Sequence, residues 1–476
     1  SCGGGGGEGS SYTPAPTTST TPTTPTTPTP TTPTTPTWEN KYDLNGNIKW
    51  NDTARVYDKT NPNNQTVSSA ITGDGVTVGV LDMGFGTTDP DLITEMNNRF
   101  NSPDRTFERK TDFGVSTPHE NHGIVVAGVV GGNSIGIAKK VNIIGVDVSK
   151  LQDGEYHPDP SLAAYEYLRN RGVKIYNQSF GVNSQVTDYE GMRARMNNKD
   201  YEYQINNANT EDILGFYKTE VNNGALFVWA AGNDHMQSNP TLEAGLPHLE
   251  PGLEKGWINV VGLAAKPVHD AGSTEWSELQ RLNGAGVAKN WTVTAVSGIS
   301  TTTKDFNKST NAYEIGNWQM NGSSYAAPMV TGTAALIKQK YPWMTGDLIR
   351  QTILSTATDI GKKGVDEDFG WGLLNVDKAL KGPALFDKRL ALGNDVVANV
   401  TAGTYVFSND ISGDAGFIKN GPGTIRFDGK LSYTGGTVIN AGKLIIKGTT
   451  YNTGATRITF GNMIVAKNVK VGNSVK

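Results

Sequence analysis

The chain has 476 residues, with 42 Lys and Arg against 46 Asp and Glu, a formal net charge of −4 and one cysteine. Nothing in that near-neutral balance suggests a nucleic-acid or anionic-membrane partner, and a single cysteine cannot close an intramolecular disulfide. The length accommodates one large domain and a second unit, each with a core, and no apolar run approaches the roughly 18 residues of a membrane-spanning helix.

Residues 1–37 open with "SCGGGGG" and continue as a Thr/Pro repeat, "TPTTPTTPTPTTPTTPT". This composition lacks the apolar content to fold. Pro-rich segments favour extended polyproline II at roughly 3.1 Å per residue, so the stretch reads as a spacer of up to about 110 Å. On its residues alone, Cys2 is a free cysteine in a tail.

From 38 to 383 the texture is globular. Continuous apolar runs, "VTVGVLD" (76–82), "VNIIGVDV" (141–148), "VKIYNQS" (173–179), "ALFVWAAG" (225–232) and "WINVVGLA" (257–264), alternate with helical patterns. Such alternation predicts a mostly parallel sheet with helices on both faces. Functional groups collect at the carboxyl ends of parallel strands, and Asp82 stands at such an end, followed by "MGFG". An Asp before Gly also serves as a plain turn residue.

Next in the chain, "HENHGIVVAGVVGG" (119–132) places His122 at the start of a helix of small apolar residues, able to lie close against the sheet. His119 and His122 are three apart, whereas the zinc-binding H-E-x-x-H pattern needs two histidines four apart on one helix face. "FVWAAGND" (227–234) ends a strand with Asn233, whose amide either caps the turn or donates to a ligand. "NGSSYAAPMVTGTAALI" (321–337) begins a buried helix at Ser323 and Ser324, with Pro328 expected near its first turn, where a missing N–H costs least. A serine there is either a helix cap or a nucleophile whose developing oxyanion is held by the helix N-terminus.

After 383, "GFIKNGPGTIRFDGKLSYTGGTVINAGKLIIKGTT" (416–450) shows short alternating strands between Gly and Asn-Gly turns. A β-solenoid and a small β-sandwich both suit this texture, the solenoid better, because each strand-turn unit has one apolar face for a neighbour to bury. The texture runs to the last residue, so further rungs beyond Lys476 are expected.

Taken in order, "VLDMG" at Asp82, "HGIVVAG" at His122, "NQSFG" at 177–181, "AAGN" ending at Asn233 and "GSSYAAP" at Ser324 resemble the subtilases over roughly residues 70–380. Ile124 and Ser323 stand where threonine is usual in that family, and Tyr325 where methionine is common. The resemblance implies a subtilisin-like α/β fold and a serine endopeptidase. Its nucleophile would be Ser324, its general base His122, its orienting carboxylate Asp82, and its oxyanion hole Asn233 with the Ser324 N–H. It further implies that Ser179, Phe180 and Gly181 form an edge strand for the substrate backbone, and that Ala230, Ala231 and Gly232 line the first specificity pocket, with medium or large apolar residues preferred there. Protein and peptide substrates follow, with no cofactor needed for the chemistry; structural calcium is left open.

The segments "YPWMTGDLIRQTILSTATDIG", "VDEDFGWGLLNVDKALKGPALF" and "NDISGDAGFIKNGPGTIRF" narrow the resemblance to subtilase passengers of Gram-negative autotransporters, of the neisserial autotransporter lipoprotein type. This divides the chain into a lipoprotein-like N-terminus and spacer (1–37), a protease domain (38–383) and the start of a β-helical stem (384–476). It implies an outer-membrane tether through a lipidated Cys2, Ser1 being a remnant of the signal peptide, and a translocator barrel that is not within these residues. Location would be the bacterial surface and the medium. An adhesin or scaffold using the protease fold for binding or self-release is the alternative.

Overall fold

The computed structural model describes residues 71–182, 211–234, 237–266 and 275–472, with short strands at 2–4, 11–14, 50–51 and 56–57. Ser1 and most of the Thr/Pro spacer lie outside the described residues. Strands β1 (Thr77–Asp82), β2 (Phe107–Lys110), β3 (Asn142–Asp147), β4 (Ile175–Gln178), β6 (Leu226–Ala230), β7 (Trp257–Lys266), β8 (Glu275–Arg281) and β9 (Thr292–Val296) build the main sheet. Its order is β8-β7-β6-β4-β1-β3-β2, with β9 also on β7, and every pair is parallel except β7 with β8. The short strand β5 (Phe180–Val182) follows β4 outside this sheet.

After α1 (Pro90–Phe100), two helices on one face carry the small apolar residues noted in the sequence. Helix α2 (His122–Gly131) is buried at every position, which is why "HGIVVAGVVG" shows no polar side. Helix α5 (Ser323–Lys340) is buried from Ser323 to Ile337. A Cβ at Gly332 would lie 2.6 Å from the Ile137 Cβ and 2.9 Å from the Val130 carbonyl oxygen, so glycine lets α5 cross the end of α2. The opposite face is aromatic: Trp229 stacks on Trp257 at 5.4 Å and Tyr176 on Phe227 at 4.6 Å, under α3 (Leu162–Asn170) and α4 (Ile213–Asn222).

Beyond residue 383 the strands stack in parallel, the pattern of a solenoid and not of an antiparallel sandwich. One four-stranded sheet runs Val396–Asn399, Phe417–Asn420, Thr437–Ile439, Thr456–Ile458, and a second runs Thr404–Phe407, Thr424–Phe427, Lys443–Ile446, Asn462–Val465. Parallel bridges Ile411 to Leu431 and Leu431 to Tyr451 form a third face. Inward residues alternate with outward ones, as at Phe417, Ile425, Phe427, Ile439 and Leu444. Lys419 is buried among them; its ammonium donates to the carbonyls of Gly421 (2.7 Å) and Ala441 (2.9 Å), and burial pushes its pKa down to about 8.

The solenoid shares its core with the sheet. Tyr341 Oη donates to the Val406 carbonyl (2.7 Å), and the Trp343 ring lies 5.8 Å from Tyr405 and 6.1 Å from Phe407. Arg389 grips Glu254 through both ends of its guanidinium (2.7 and 2.8 Å), while Arg350 Nη2 donates to the Leu390 carbonyl. A chain cut after Pro383 therefore uncovers Tyr341 and Trp343. At roughly 1.5–3 kcal/mol for a fully buried large apolar side chain, and less for the partly buried Trp343, the loss is up to about 6 kcal/mol, a large share of an ordinary stability of about 5–15 kcal/mol. At about 2.1 cal/mol/K of unfolding entropy per residue, the truncated chain is expected to melt several degrees, up to about 10 °C, lower than one ending after several rungs; equal melting temperatures would show that the shared core is dispensable.

Candidate active site

Asp82 ends β1 fully buried, and its Oδ1 accepts from its neighbour's N–H, Met83 (2.7 Å), and from His122 Nδ1 (2.6 Å). The strand fixes the carboxylate and the first residue of α2 fixes the imidazole. Gly123 secures the approach: its N–H donates to the Met83 carbonyl (2.9 Å), and a Cβ there would fall 2.4 Å from that same oxygen. Glu120, not singled out in the sequence, accepts from the His122 N–H (3.0 Å), and burial pushes its carboxyl above the usual range against the pull of His122. Only its position two residues before a helix start marked it. Asp82 Oδ2 is buried and has no hydrogen-bond partner among the described residues.

The Ser324 turn comes to the same place. The Tyr325 ring, on the residue after Ser324, lies 5.9 Å from the His122 ring. Ser324 Oγ donates to the Ser179 carbonyl (3.2 Å), and Ser179 Oγ donates back to the Ser324 carbonyl (2.8 Å). This second bond corrects the expectation for Pro328. The helix begins at Ser323, so Pro328 is its sixth residue and deprives the Ser324 carbonyl of its i+4 donor. Ser179 takes that place. Asn177 Nδ2 donates to Ser179 Oγ (3.0 Å) and Thr331 Oγ1 to Asn177 Oδ1 (2.7 Å), a buried relay from mid-helix to the serine turn.

Asn233 meets the same turn. Its Oδ1 accepts from the Ser323 N–H (2.8 Å), which turns the Nδ2 end of the amide away from that bond. Ser323, noted as a departure from threonine, accepts from the Gly232 N–H through Oγ (3.0 Å). Gly232 has φ +102°, a conformation that favours glycine, and so sets the bend after Ala230 and Ala231.

The strand Phe180–Val182 bears one antiparallel partner, Cys2–Gly4, with Gly3 opposite Gly181. An extended segment thus pairs along this edge, and the backbone of Cys2 lies opposite Val182. His119 stands apart: its Nδ1 donates to Asp89 (2.8 Å) and its ring stacks on Tyr313 at 4.1 Å. The two histidines thus serve different carboxylates. No group of three or more His, Cys, Asp or Glu side chains able to hold a metal ion occurs among the described residues.

A buried carboxylate held by a histidine, beside a helix-terminal serine and a strand-end amide, defines a serine hydrolase arrangement on a parallel α/β sheet. The chain belongs to the subtilase family of serine endopeptidases, whose profile matches residues 73–372. Its relatives include the neisserial autotransporter lipoprotein NalP of Neisseria meningitidis serogroup B, 33% identical over 353 residues, which cover 68% of this chain and 31% of that protein. An extracellular serine protease of Serratia marcescens is 25% identical over 446 residues, 79% of this chain and 41% of that protein. The chain thus spans about a third to two fifths of the length of these relatives. The crystal structure of fervidolysin from Fervidobacterium pennivorans matches at 20% identity with a TM-score of 0.44, over 67% of this chain and 44% of that one.

Glu243 was also missed in the sequence. Its Oε2 accepts from the Val182 N–H (2.8 Å), and burial pushes its carboxyl from 4.5 to about 7. The folded state then holds this proton more tightly than the unfolded chain, so stability falls as pH rises from 4.5 to 7. Gln keeps an acceptor for Val182 and does not titrate. The melting temperature of Glu243→Gln, relative to the original chain, should therefore climb across that window and level off above it; a constant difference would contradict the assignment.

Proposed function

We propose that this subtilase hydrolyses peptide bonds through Ser324, His122 and Asp82. The observation that carries the reading is the 2.6 Å bond between His122 Nδ1 and the buried Asp82. It leaves the far nitrogen of the imidazole as the proton acceptor for Ser324 Oγ. The serine oxygen attacks the substrate carbonyl as His122 takes its proton; the tetrahedral adduct collapses to an acyl-enzyme as His122 returns that proton to the leaving amine. Water, deprotonated by the same histidine, then releases the acid product. The positive charge formed on His122 is favoured by the Asp82 carboxylate, whose second oxygen has no competing bond among the described residues.

The oxyanion is assigned to Asn233 Nδ2 and the Ser324 N–H. Supporting this are the anchoring of Asn233 Oδ1 on the Ser323 N–H and the position of Ser324 in the first turn of α5, where N–H groups have no acceptor within the helix. The substrate pairs along Ser179, Phe180 and Gly181, in the manner of the antiparallel segment on that edge, with Ala230, Ala231 and Gly232 beside its first side chain. A purely adhesive role has no use for a buried, histidine-paired carboxylate.

A fluorophosphonate probe with casein hydrolysis tests the assignment. Ser324→Ala should abolish both with the fold intact. Asn233→Ala should lower kcat by about 10²–10³, the scale seen when subtilisin loses one oxyanion donor, with a much smaller change in KM. Labelling that survives Ser324→Ala, or a kcat within about threefold for Asn233→Ala, would overturn the respective roles.

Two relatives are named as an autotransporter lipoprotein and an extracellular protease, and on that support we place the enzyme at the bacterial surface or in the medium, acting on proteins there. Residues 384–476 would begin a passenger stem exported by a barrel outside these residues. Cys2 would carry lipid, because the several acyl chains of a bacterial lipoprotein anchor stably where one does not, and the Thr/Pro spacer would hold the protease off the membrane once Cys2–Gly4 leaves the Phe180–Val182 edge. Cys2→Ala should move the protein from membranes to medium in a Gram-negative host. Equal partitioning, with no acyl mass on the N-terminal peptide, would remove the tether.

A further inference from the structure

The two segments proposed to flank the first substrate side chain, the strand Phe180–Val182 and the bend that follows the strand Leu226–Ala230, each contribute a glycine to the space between them, Gly181 on one and Gly232 on the other. Such a pair leaves a slot for a side chain. Here the slot is already occupied. Thr241 Oγ1 lies 2.5 Å from where a Cβ of Gly181 would stand, and Thr241 Cγ2 lies 2.9 Å from the corresponding point of Gly232. The threonine is only 2% exposed, so it fills the space instead of lining an open pocket.

The plug is held from both sides. The Thr241 N–H donates to the Ala231 carbonyl (2.9 Å) and the Leu242 N–H to the Val182 carbonyl (2.8 Å), so residues 241–242 are stitched to both walls. The walls are braced against backing away: Glu243 holds the Val182 N–H (2.8 Å), and Asn283 Nδ2 donates to the Ala231 carbonyl and to Asp234 Oδ2, both at 3.0 Å. A β-branched side chain has few rotamers with which to swing clear.

We infer that Thr241 determines specificity at the residue preceding the scissile bond, admitting small side chains such as Ala and Ser and rejecting Leu, Phe and Lys. This rests on the proposed roles of Ser324 and of the two segments, and it departs from the medium or large apolar preference that the family resemblance suggested. Close-packed sites distinguish side chains that differ by a single methylene by about 10–200-fold.

The test uses the full chain and tetrapeptide aminomethylcoumarin substrates that differ only in the residue before the cleaved bond: Ala, Ser, Val, Leu, Phe or Lys. The original enzyme should show its highest kcat/KM on Ala or Ser, at least about 10-fold above Leu, Phe and Lys. Thr241→Gly should raise the Phe-to-Ala ratio of kcat/KM by about 10-fold or more, and Thr241→Ala should give a smaller shift in the same direction. Thr241→Val, equal in shape but without the hydroxyl, should keep the original order, since volume and not hydrogen bonding does the excluding. Thr241→Ala keeps the test open if the glycine variant does not fold. An original enzyme that favours Leu, Phe or Lys, or folded glycine and alanine variants with an unchanged order, would overturn the inference. Probe labelling of Ser324 alongside such a result would leave the serine-protease reading standing; absence of any labelling would remove that reading and this inference with it.

Discussion

The hydrogen bond between Asp82 and His122 is the constraint around which the molecule is arranged. A carboxylate buried in an apolar interior is costly unless it is bonded, and here the histidine and the Met83 N–H are its only partners among the described residues. Both belong to backbone that the fold holds rigidly: the end of a central parallel strand and the first residue of a fully buried helix. Any loosening of the helix against the strand would leave the carboxylate with the Met83 N–H alone, so packing and chemistry protect the same geometry.

Close approach is the means by which that rigidity is reached. Gly123 lets the start of α2 meet the Met83 carbonyl, Gly332 lets α5 cross α2, and at Gly262 a Cβ would come within 3.2 Å of the Ser323 Cα. Each removes a side chain at a point where two backbones or a backbone and a core residue nearly touch. The result brings the ends of two helices and two strands to one spot with little room for adjustment. A proline in α5 would ordinarily relax such a helix; the Thr331–Asn177–Ser179 relay supplies the donor that Pro328 lacks and keeps the serine turn fixed.

The solenoid joins this body without a break in the core. Tyr341 and Trp343 from the end of α5 and the turn after it pack into the first rung, while Arg389 reaches back to Glu254. Rungs of a solenoid bury one another's faces, and the first must be covered by something other than a rung. The helical layer of the catalytic unit does this, so the protease serves as the cap from which the stack grows.

The sequence by itself determined the parallel sheet, the order of the chemical groups and the solenoid texture, because each is written in local patterns: apolar runs, small-residue helices, and turns at short regular intervals. Asp82, His122, Asn233 and Ser324 were legible for the same reason, each lying at a strand or helix end flagged by its neighbours. Contacts between segments far apart in the chain were decided only by the tertiary structure. Ser179 as donor to a carbonyl 145 residues away, the Tyr325 ring beside His122, and the shared core across residue 383 carry no local signature. Thr241 is the clearest case. In the chain it is a polar residue in a turn-rich stretch, and it becomes a plug only because a strand far back in the chain and the bend at Gly232 each place a glycine against it. Side-chain volume is a property of a residue, but the space it must fill belongs to the fold.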